Sequence, residues 1–306
     1  MGNLWDADIQ ITEDAAVNLI AEQFPELAPV QAVVLGVGWD NLALLVNARW
    51  VFRFPRRQVA GDLLEREVRI LPLLAPHLPL PIPVPAFAGA PTVDYPYVFA
   101  GYALLPGRTA CRVSLAEHER AALAPALAGF LAALHGIPIP AETRAWAPGD
   151  DIARADVRRR APQLKARLLA NAARLPAQDV RALTMLVDDL AAHSGRVQQS
   201  CWVHGDLYAR HLLVDEARAL TGVIDWGDVH VGDRALDLSI AFSFLPPAAR
   251  HVFRQAYGEI DEATWARARF RALHYGAILV DYGANSADPA IKALGEYALQ
   301  YAPAPP

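Results

Sequence analysis

Asp206, His211 and Asp225 are the residues whose types and spacing point to chemistry. They stand in CWVHGDLYARHLLVDEARALTGVIDWGDVHVGDRALDLS, which runs from Cys201 to Ser239. The apolar run Cys201-Trp202-Val203 delivers His204-Gly205-Asp206 to a loop. Leu212-Leu213-Val214 follows, then a polar turn at Asp215 to Ala217, then Gly222-Val223-Ile224, which ends in Asp225-Trp226-Gly227. Short apolar runs ending in acidic loops read as strands. They would gather Asp206, His211 and Asp225 at one end of a small sheet. In such a set the first Asp orients or takes the proton of an attacking hydroxyl. A residue five positions on holds a divalent metal. A later Asp before Gly bridges metal to phosphate oxygens. Phosphoryl transfer from a nucleoside triphosphate needs these parts. His at the second position ligates through a ring nitrogen, a softer ligand for magnesium than the amide oxygen of Asn.

Three motifs, HGDLYARH (His204 to His211), IDW (Ile224 to Trp226) and VGDRALDL (Val231 to Leu238), fall in order within this stretch. Singly each is weak; jointly they are specific. The stretch resembles the aminoglycoside and macrolide antibiotic phosphotransferases, and His211 with the HVGD run after IDW is closer to the macrolide enzymes. The resemblance implies an α+β, two-lobed protein-kinase-like fold. Residues 1–105 would form a small, mostly antiparallel β lobe with a helix that binds the nucleotide. Residues 106–306 would form a larger, mainly helical lobe for catalysis and acceptor binding. It implies Asp206 as the catalytic residue, His211 and Asp225 as ligands of Mg2+, and ATP or GTP as co-substrate. The acceptor would be a small-molecule hydroxyl, the 2′-hydroxyl of a macrolide first, with an aminoglycoside or a small metabolite as alternatives.

The elements before this stretch must position a nucleotide. Thr12 to Phe24 reads as a helix capped by Thr12 and ended by Pro25. Pro29 to Leu35 reads as a strand. Gly36-Val37-Gly38-Trp39-Asp40-Asn41 is then a loop, where glycine would supply positive φ and close backbone approach to a phosphate. Gly36, Gly38 and Asn41 are its candidate nucleotide contacts. Leu42 to Asn47 and Trp50 to Phe54 read as strands joined at Asn47-Ala48. Arg53 stands where a kinase strand carries its lysine, and neither lysine of the chain, Lys165 nor Lys292, lies nearby. A guanidinium binds phosphate bidentately, so Arg53 is the candidate phosphate cation. Arg56 and Arg57 read as solvated. Gln58 to Leu74 has helical apolar spacing; the resemblance implies an ion pair between a Glu on this helix and the strand cation, so Glu67 is the expected partner of Arg53, with Glu65 as rival. The proline-rich stretch from Pro76 to Pro85 leads into strands Val84 to Ala88 and Tyr95 to Leu105. In the resembled fold the backbone of Gly101, Tyr102 and Ala103 would bond the purine.

The second half reads as mostly helical. Leu115 to Leu134 has one apolar stripe, and His135 ends it. Asp150 to His193 reads as two charged helices broken near Pro176. Asp233 fits a partial N-cap for a helix starting near Ala235. Later helices are expected at Pro247 to Tyr257, Glu262 to Tyr282 and Asp288 to Tyr301; by analogy with the resembled family, Tyr275, Asp281 and Tyr282 on the second are candidate acceptor contacts. The tail from Pro303 is expected to fray.

A length of 306 residues with 54% hydrophobic residues can bury a sizeable core. Net charge −5 gives no footprint for nucleic acid. Two cysteines give no disulfide framework, and no apolar run is long enough for a membrane span. These features lead us to expect a cytoplasmic monomer. Two other readings stay open. His204, Asp206, His211, Asp225 and His230 could form a hydrolytic metal site. A nucleotide-binding protein without catalysis would fit the missing lysine and the His at position 211.

Overall fold

The computed structural model describes residues 8–38, 40–174, 180–197, 200–286 and 288–304. Two compact units divide them. The first runs to Pro76, resumes at Pro81–Leu105 and takes in Asp225–Asp228; the second comprises His77–Leu80, Pro106–Ile224 and the chain from Val229.

The first unit is a five-stranded antiparallel sheet with two helices. In chain order these are α1 (Glu13–Gln23), β1 (Ala32–Val37), β2 (Asn41–Val46), β3 (Trp50–Pro55), α2 (Gln58–Leu74), β4 (Pro85–Gly89) and β5 (Phe99–Ala103). The sheet order is β1-β2-β3-β5-β4. Thr12 caps α1 by accepting from the Ala15 amide. The β2–β3 turn places both Asn47 and Ala48 at positive φ, the geometry that matches strand twist in two-residue hairpins. Asn tolerates that region better than Ala, and Asn47 also binds the Leu27 carbonyl and the Gln31 amide. Phe52, Phe54 and Phe99 stack in the core with Tyr95, whose hydroxyl donates to the Pro55 carbonyl. The strand expected from Tyr95 starts only at Phe99.

The second unit holds β6 (Arg108–Thr109), α3 (Glu117–Ala122), α4 (Ala124–Gly136), α5 (Ala141–Arg144), α6 (Val157–Ala170) and α7 (Val180–His193). Then come β7 (Cys201–Val203), β8 (Leu212–Val214), β9 (Leu220–Val223), β10 (His230–Gly232), α8 (Ala235–Leu238), α9 (Ile240–Ser243), α10 (Arg250–Tyr257), α11 (Glu262–Asn285) and α12 (Pro289–Tyr301). Three expectations change here. The helix read over Leu115 to Leu134 is two, because Pro125 in the first turn of α4 has no amide to continue α3. The expected small sheet is two: β7 pairs with β10, while β8 lies between β6 and β9. The tail is tied at Pro303 and Ala304. The buried Arg250 donates to the Ala304 and Tyr301 carbonyls, and Arg269 to those of Ala302 and Pro303. Pro176, the expected break between α6 and α7, lies outside the described residues. Among the described residues no helix is long and apolar enough to cross a membrane.

Candidate active site

Arg53 is held between two carboxylates of the first unit. On β3 its neighbours Phe52 and Phe54 point into the core, so strand alternation turns Arg53 to the opposite face. On α2, Leu64, Glu67, Ile70, Leu71 and Leu74 form the buried stripe, and Glu65 is exposed. Two residues along a helix is about half a turn, which separates the rival acids. Arg53 Nη1 donates to both Glu67 oxygens, at 3.1 and 2.9 Å. Its Nη2 lies 3.7 Å from Asp225 Oδ1. Burial works against the Arg53 charge, but Glu67 and then Asp225 carry its pKa upward, so it stays a cation. Burial pushes Glu67 up against the pull of Arg53. The Tyr102 hydroxyl is within electrostatic reach of Glu67 but outside hydrogen-bonding geometry; burial, then Glu67, raise it well above its usual range. Asp225 has φ of 65°, rare for a residue with a side chain, and its carboxylate is 51% exposed. Such strain concentrates at working sites.

The glycine stretch differs from its sequence reading. Gly36 lies within β1 beside a bulge, and neither Gly36 nor Gly38 has positive φ. An added Cβ would meet nothing at Gly36 and only the Asn41 carbonyl, at 3.6 Å, at Gly38. The loop is tied down by Arg56 and Arg57, which are therefore not simply solvated. Arg56 donates its amide to Asp40 and its Nη1 to the Gly38 carbonyl, both at 2.7 Å. Arg57 pairs with the Asp40 carboxylate, Nε to Oδ1 being 2.8 Å. Asn41 opens β2 with a buried Oδ1 that has no hydrogen-bond partner. Gly101 and Tyr102 sit inside the sheet, paired with both β3 and β4, and a Cβ on Gly101 would collide with the Phe52 ring at 2.5 Å. Ala103 alone of the three is exposed, one residue past the last β4 pairing.

In the second unit the loop bearing Asp206 is held through its backbone. Asp237 on α8 is fully buried and accepts from the His204 amide at 2.7 Å and the Gly205 amide at 2.9 Å. Gly205 has φ of 84°, a conformation that favours glycine. His135 at the end of α4 contacts Asp237 through Nε2 at 3.2 Å and the Tyr257 hydroxyl through Nδ1 at 2.8 Å. Burial alone would raise Asp237; His135, His204 and the Gly205 amide bring it below the usual carboxylate value. The His204 ring donates from Nε2 to the Ile224 carbonyl at 3.0 Å and accepts at Nδ1 from the Asp206 amide at 3.3 Å. Both nitrogens are engaged in a neutral ring, and burial, then His211, push its pKa down. His204 therefore is no metal ligand, which takes one member from the hydrolytic set. Among the described residues no three His, Cys, Asp or Glu stand close enough together to hold a metal by themselves.

His211 is buried and donates Nδ1–H to the Asp206 carbonyl at 2.8 Å, which fixes Nε2 as the nitrogen with the lone pair. Tyr208 stands edge-on to His211 and to Tyr275, with ring centroids 4.5 and 5.3 Å apart. The Asp206 carboxylate lies 3.7 Å from Arg271 Nη2, and Arg271 stacks over the Tyr275 ring at 4.5 Å. Burial, then Asp206, raise Tyr275 well above its usual range. Tyr282 falls two helical turns from Tyr275 on α11, hence on the same side. Asp281 pairs with Arg167 of α6 and keeps Oδ1 buried without a partner.

Asp237 and Arg271 were not singled out from sequence, and His135 was read only as the end of a helix. Asp237 had a signal: a carboxylate between Leu236 and Leu238 in an apolar run must find partners. Arg271 had a weaker one, four residues before Tyr275 on a helix. Asp233 behaves as read, accepting from the Ala235 amide at 3.0 Å, and also binds Arg267 at 2.6 Å.

This architecture and these motifs have known counterparts. Residues 31–271 match the family described as the phosphotransferase enzyme family, so the chain belongs to that family and is an enzyme of the phosphotransferase class. Its fold is the kinase-like one of that family, an antiparallel five-stranded sheet followed by a mainly helical part. Among solved structures it is similar to the GDP complex of wild-type aminoglycoside 2′-phosphotransferase-IIIa, at 24% identity and TM-score 0.70, over 95% of this chain and 98% of that one. It is also similar to the apoenzyme of macrolide 2′-phosphotransferase MphH from Brachybacterium faecium, at 24% identity and TM-score 0.63, over 96% and 98%. The macrolide 2′-phosphotransferase type I follows at 22% identity and TM-score 0.60, over 97% and 100%.

Proposed function

We propose that the enzyme moves the γ-phosphoryl group of ATP or GTP to a hydroxyl of a small molecule, the 2′-hydroxyl of a macrolide first among acceptors. The observation that carries this reading is the pairing of Arg53 with Glu67 and Asp225 in a chain whose second unit presents Asp206 on a backbone-clamped loop. The first unit takes the nucleotide side, with Arg53 steadying phosphates, Glu67 orienting Arg53, and the Gly36 to Asn41 stretch and the Ala103 edge as nucleotide contacts. The second unit takes the acceptor side. Asp206 orients the acceptor hydroxyl and receives its proton as the new P–O bond forms. Tyr208, Tyr275 and Tyr282 supply an aromatic wall suited to a large apolar acceptor.

Magnesium usually keeps waters and phosphate oxygens and takes few protein ligands. The half-exposed carboxylate of Asp225 fits that habit, and His211 Nε2 offers a second, softer ligand. When bound, the metal would neutralise charge on the phosphates. Catalysis by this chain's own residues is then positioning and charge complementarity.

The test is transfer from γ-labelled ATP and GTP across macrolides, aminoglycosides and small metabolic alcohols, with the product located by mass spectrometry and NMR. Label on a macrolide 2′-oxygen is expected. Nucleotide binding with no transfer to any alcohol would contradict the reading, and absence of nucleotide binding would contradict it more broadly.

A further inference from the structure

The strand β7 has a working end and a far end. Val203 leads into the loop that carries Asp206, and Ser200 precedes Cys201 at the other end. A cavity of about 510 Å³ opens at that far end. It is walled by the chain entering β7, by β10 and by the start of α6, all in the second unit. Its volume is that of a small-molecule site. None of the residues assigned above to nucleotide, metal or acceptor lines it.

Three carboxylates and three guanidiniums line this cavity, and they differ in what they already hold. Asp150 accepts from the Arg154 and Ala155 amides, both at 2.8 Å. Asp156 caps α6 by accepting from the Arg159 amide at 3.0 Å. Asp233 holds Arg267 at 2.6 Å and the Ala235 amide at 3.0 Å. Arg267 in turn donates to the Ser194 carbonyl and the Thr264 hydroxyl. Arg158 and Arg196 are different. Both are exposed, and among the described residues neither guanidinium has a hydrogen bond or an ion pair. The acids of the cavity are thus engaged, and its open capacity is two forks of N–H donors. Arg158 also stands in the first turn of α6, where the helix dipole disfavours a cation and no acid within the turn offsets it. Val157, Val197 and Val231 give the same cavity an apolar side.

We propose that this cavity binds a small organic anion, with a phosphate or carboxylate head on Arg158 and Arg196 and a carbon body against Val157, Val197 and Val231. A guanidinium pairs with either head through two parallel hydrogen bonds. A cation would meet two like charges and only acids already engaged. A neutral compound would leave both forks without a countercharge. The cavity shares no residue with the Arg53 cluster or with the Asp206 loop, so its ligand competes with neither nucleotide nor acceptor.

The experiment is titration calorimetry on the whole protein with phenyl phosphate, phthalate, inorganic phosphate and benzylamine as probes. Phenyl phosphate, phthalate or both are expected to bind, about tenfold tighter than inorganic phosphate, and benzylamine is not. The tighter of the two organic anions tells a phosphate ligand from a carboxylate one. In Arg158→Gln/Arg196→Gln the binding should weaken about tenfold or more. Arg159→Gln, a neighbour on α6 outside the cavity, should leave it in place. Thermal unfolding without probe checks that the variants stay folded, and Arg196→Gln alone, outside helix and strand, should weaken binding in the same direction. Inorganic phosphate as tight as phenyl phosphate, benzylamine as tight as the anions, an equal loss in Arg159→Gln, or no anion binding that the Arg158/Arg196 pair removes would overturn the inference. Calorimetry needs no turnover, so this result stands apart from that of the transfer assay.

Discussion

The Arg53 cluster and the Asp206 loop hold their functional groups by different means. Arg53 is fixed by side chains, a buried Glu67 and a half-exposed Asp225. Asp206 is fixed by its neighbours' backbone: Asp237 grips the His204 and Gly205 amides, and His204 ties back to Ile224. A side-chain clamp shows in sequence as a pair of complementary residue types. A backbone clamp shows only as one unexplained buried acid. The two also fail differently. Removing one partner of a buried pair leaves an uncompensated charge, while removing a backbone clamp frees a loop without changing its sequence.

The largest effect expected on that contrast comes from Asp237→Ala. It leaves two buried amides and His135 without their carboxylate, so stability should fall by about 3–5 kcal/mol. Turnover should fall about a hundredfold or more, while nucleotide affinity, which the proposed function assigns to the first unit, should hold. Thermal unfolding, nucleotide titration and steady-state kinetics check this together; a parallel loss of nucleotide affinity would merge the two clamps into one.

Glu67→Gln should do the reverse. Arg53 keeps a hydrogen-bond acceptor but loses a buried countercharge. Nucleotide KM should then rise roughly tenfold, about 1.4 kcal/mol, with acceptor KM little changed. An effect confined to acceptor KM would contradict the assignment of Arg53 to phosphate.

Acid should weaken the second unit in particular. Above pH 6.5 His274 is neutral whether folded or unfolded. Below it the unfolded chain takes a proton that the folded site refuses until pH falls to about 3. Stability is therefore lost progressively between those values, by roughly 3 kcal/mol at pH 4 for this group. His204, also pushed down, adds in the same direction. Asp237, held below its usual value, adds a loss as pH falls through its folded pKa. Denaturant midpoints from pH 7 to 4 should fall, and His274→Gln should flatten the fall; a flat profile in the parent would contradict it.

Much of this molecule was legible in its sequence where residue type and spacing carry the information. The bounds of α2, the cap of α1 and the order of acidic loops follow from periodicity and turn residues. The Arg53–Glu67 contact is the one the family resemblance implied, and the buried stripe of α2 is what separates Glu67 from Glu65. Other features depend on what the chain meets far away. Arg56 and Arg57 look like surface charge until Asp40 and the Gly38 carbonyl are brought to them. Pro303 and Ala304 look loose until Arg250 and Arg269 reach their carbonyls. Gly101 is needed because the Phe52 ring fills its Cβ position, which no local pattern announces. The break at Pro125 was readable, and the apolar stripe running through it concealed it.

The central claim is that Asp206 serves the acceptor and not the nucleotide. The most direct measurement is single-turnover transfer of γ-labelled nucleotide to acceptor by wild type and Asp206→Asn, with nucleotide Kd measured on both. Asn keeps the size and the hydrogen-bonding reach but cannot take the proton. The account predicts a fall in the transfer rate of about 10³-fold with nucleotide Kd within twofold or so. Transfer at near wild-type rate, or a loss explained entirely by weaker nucleotide binding, would contradict it.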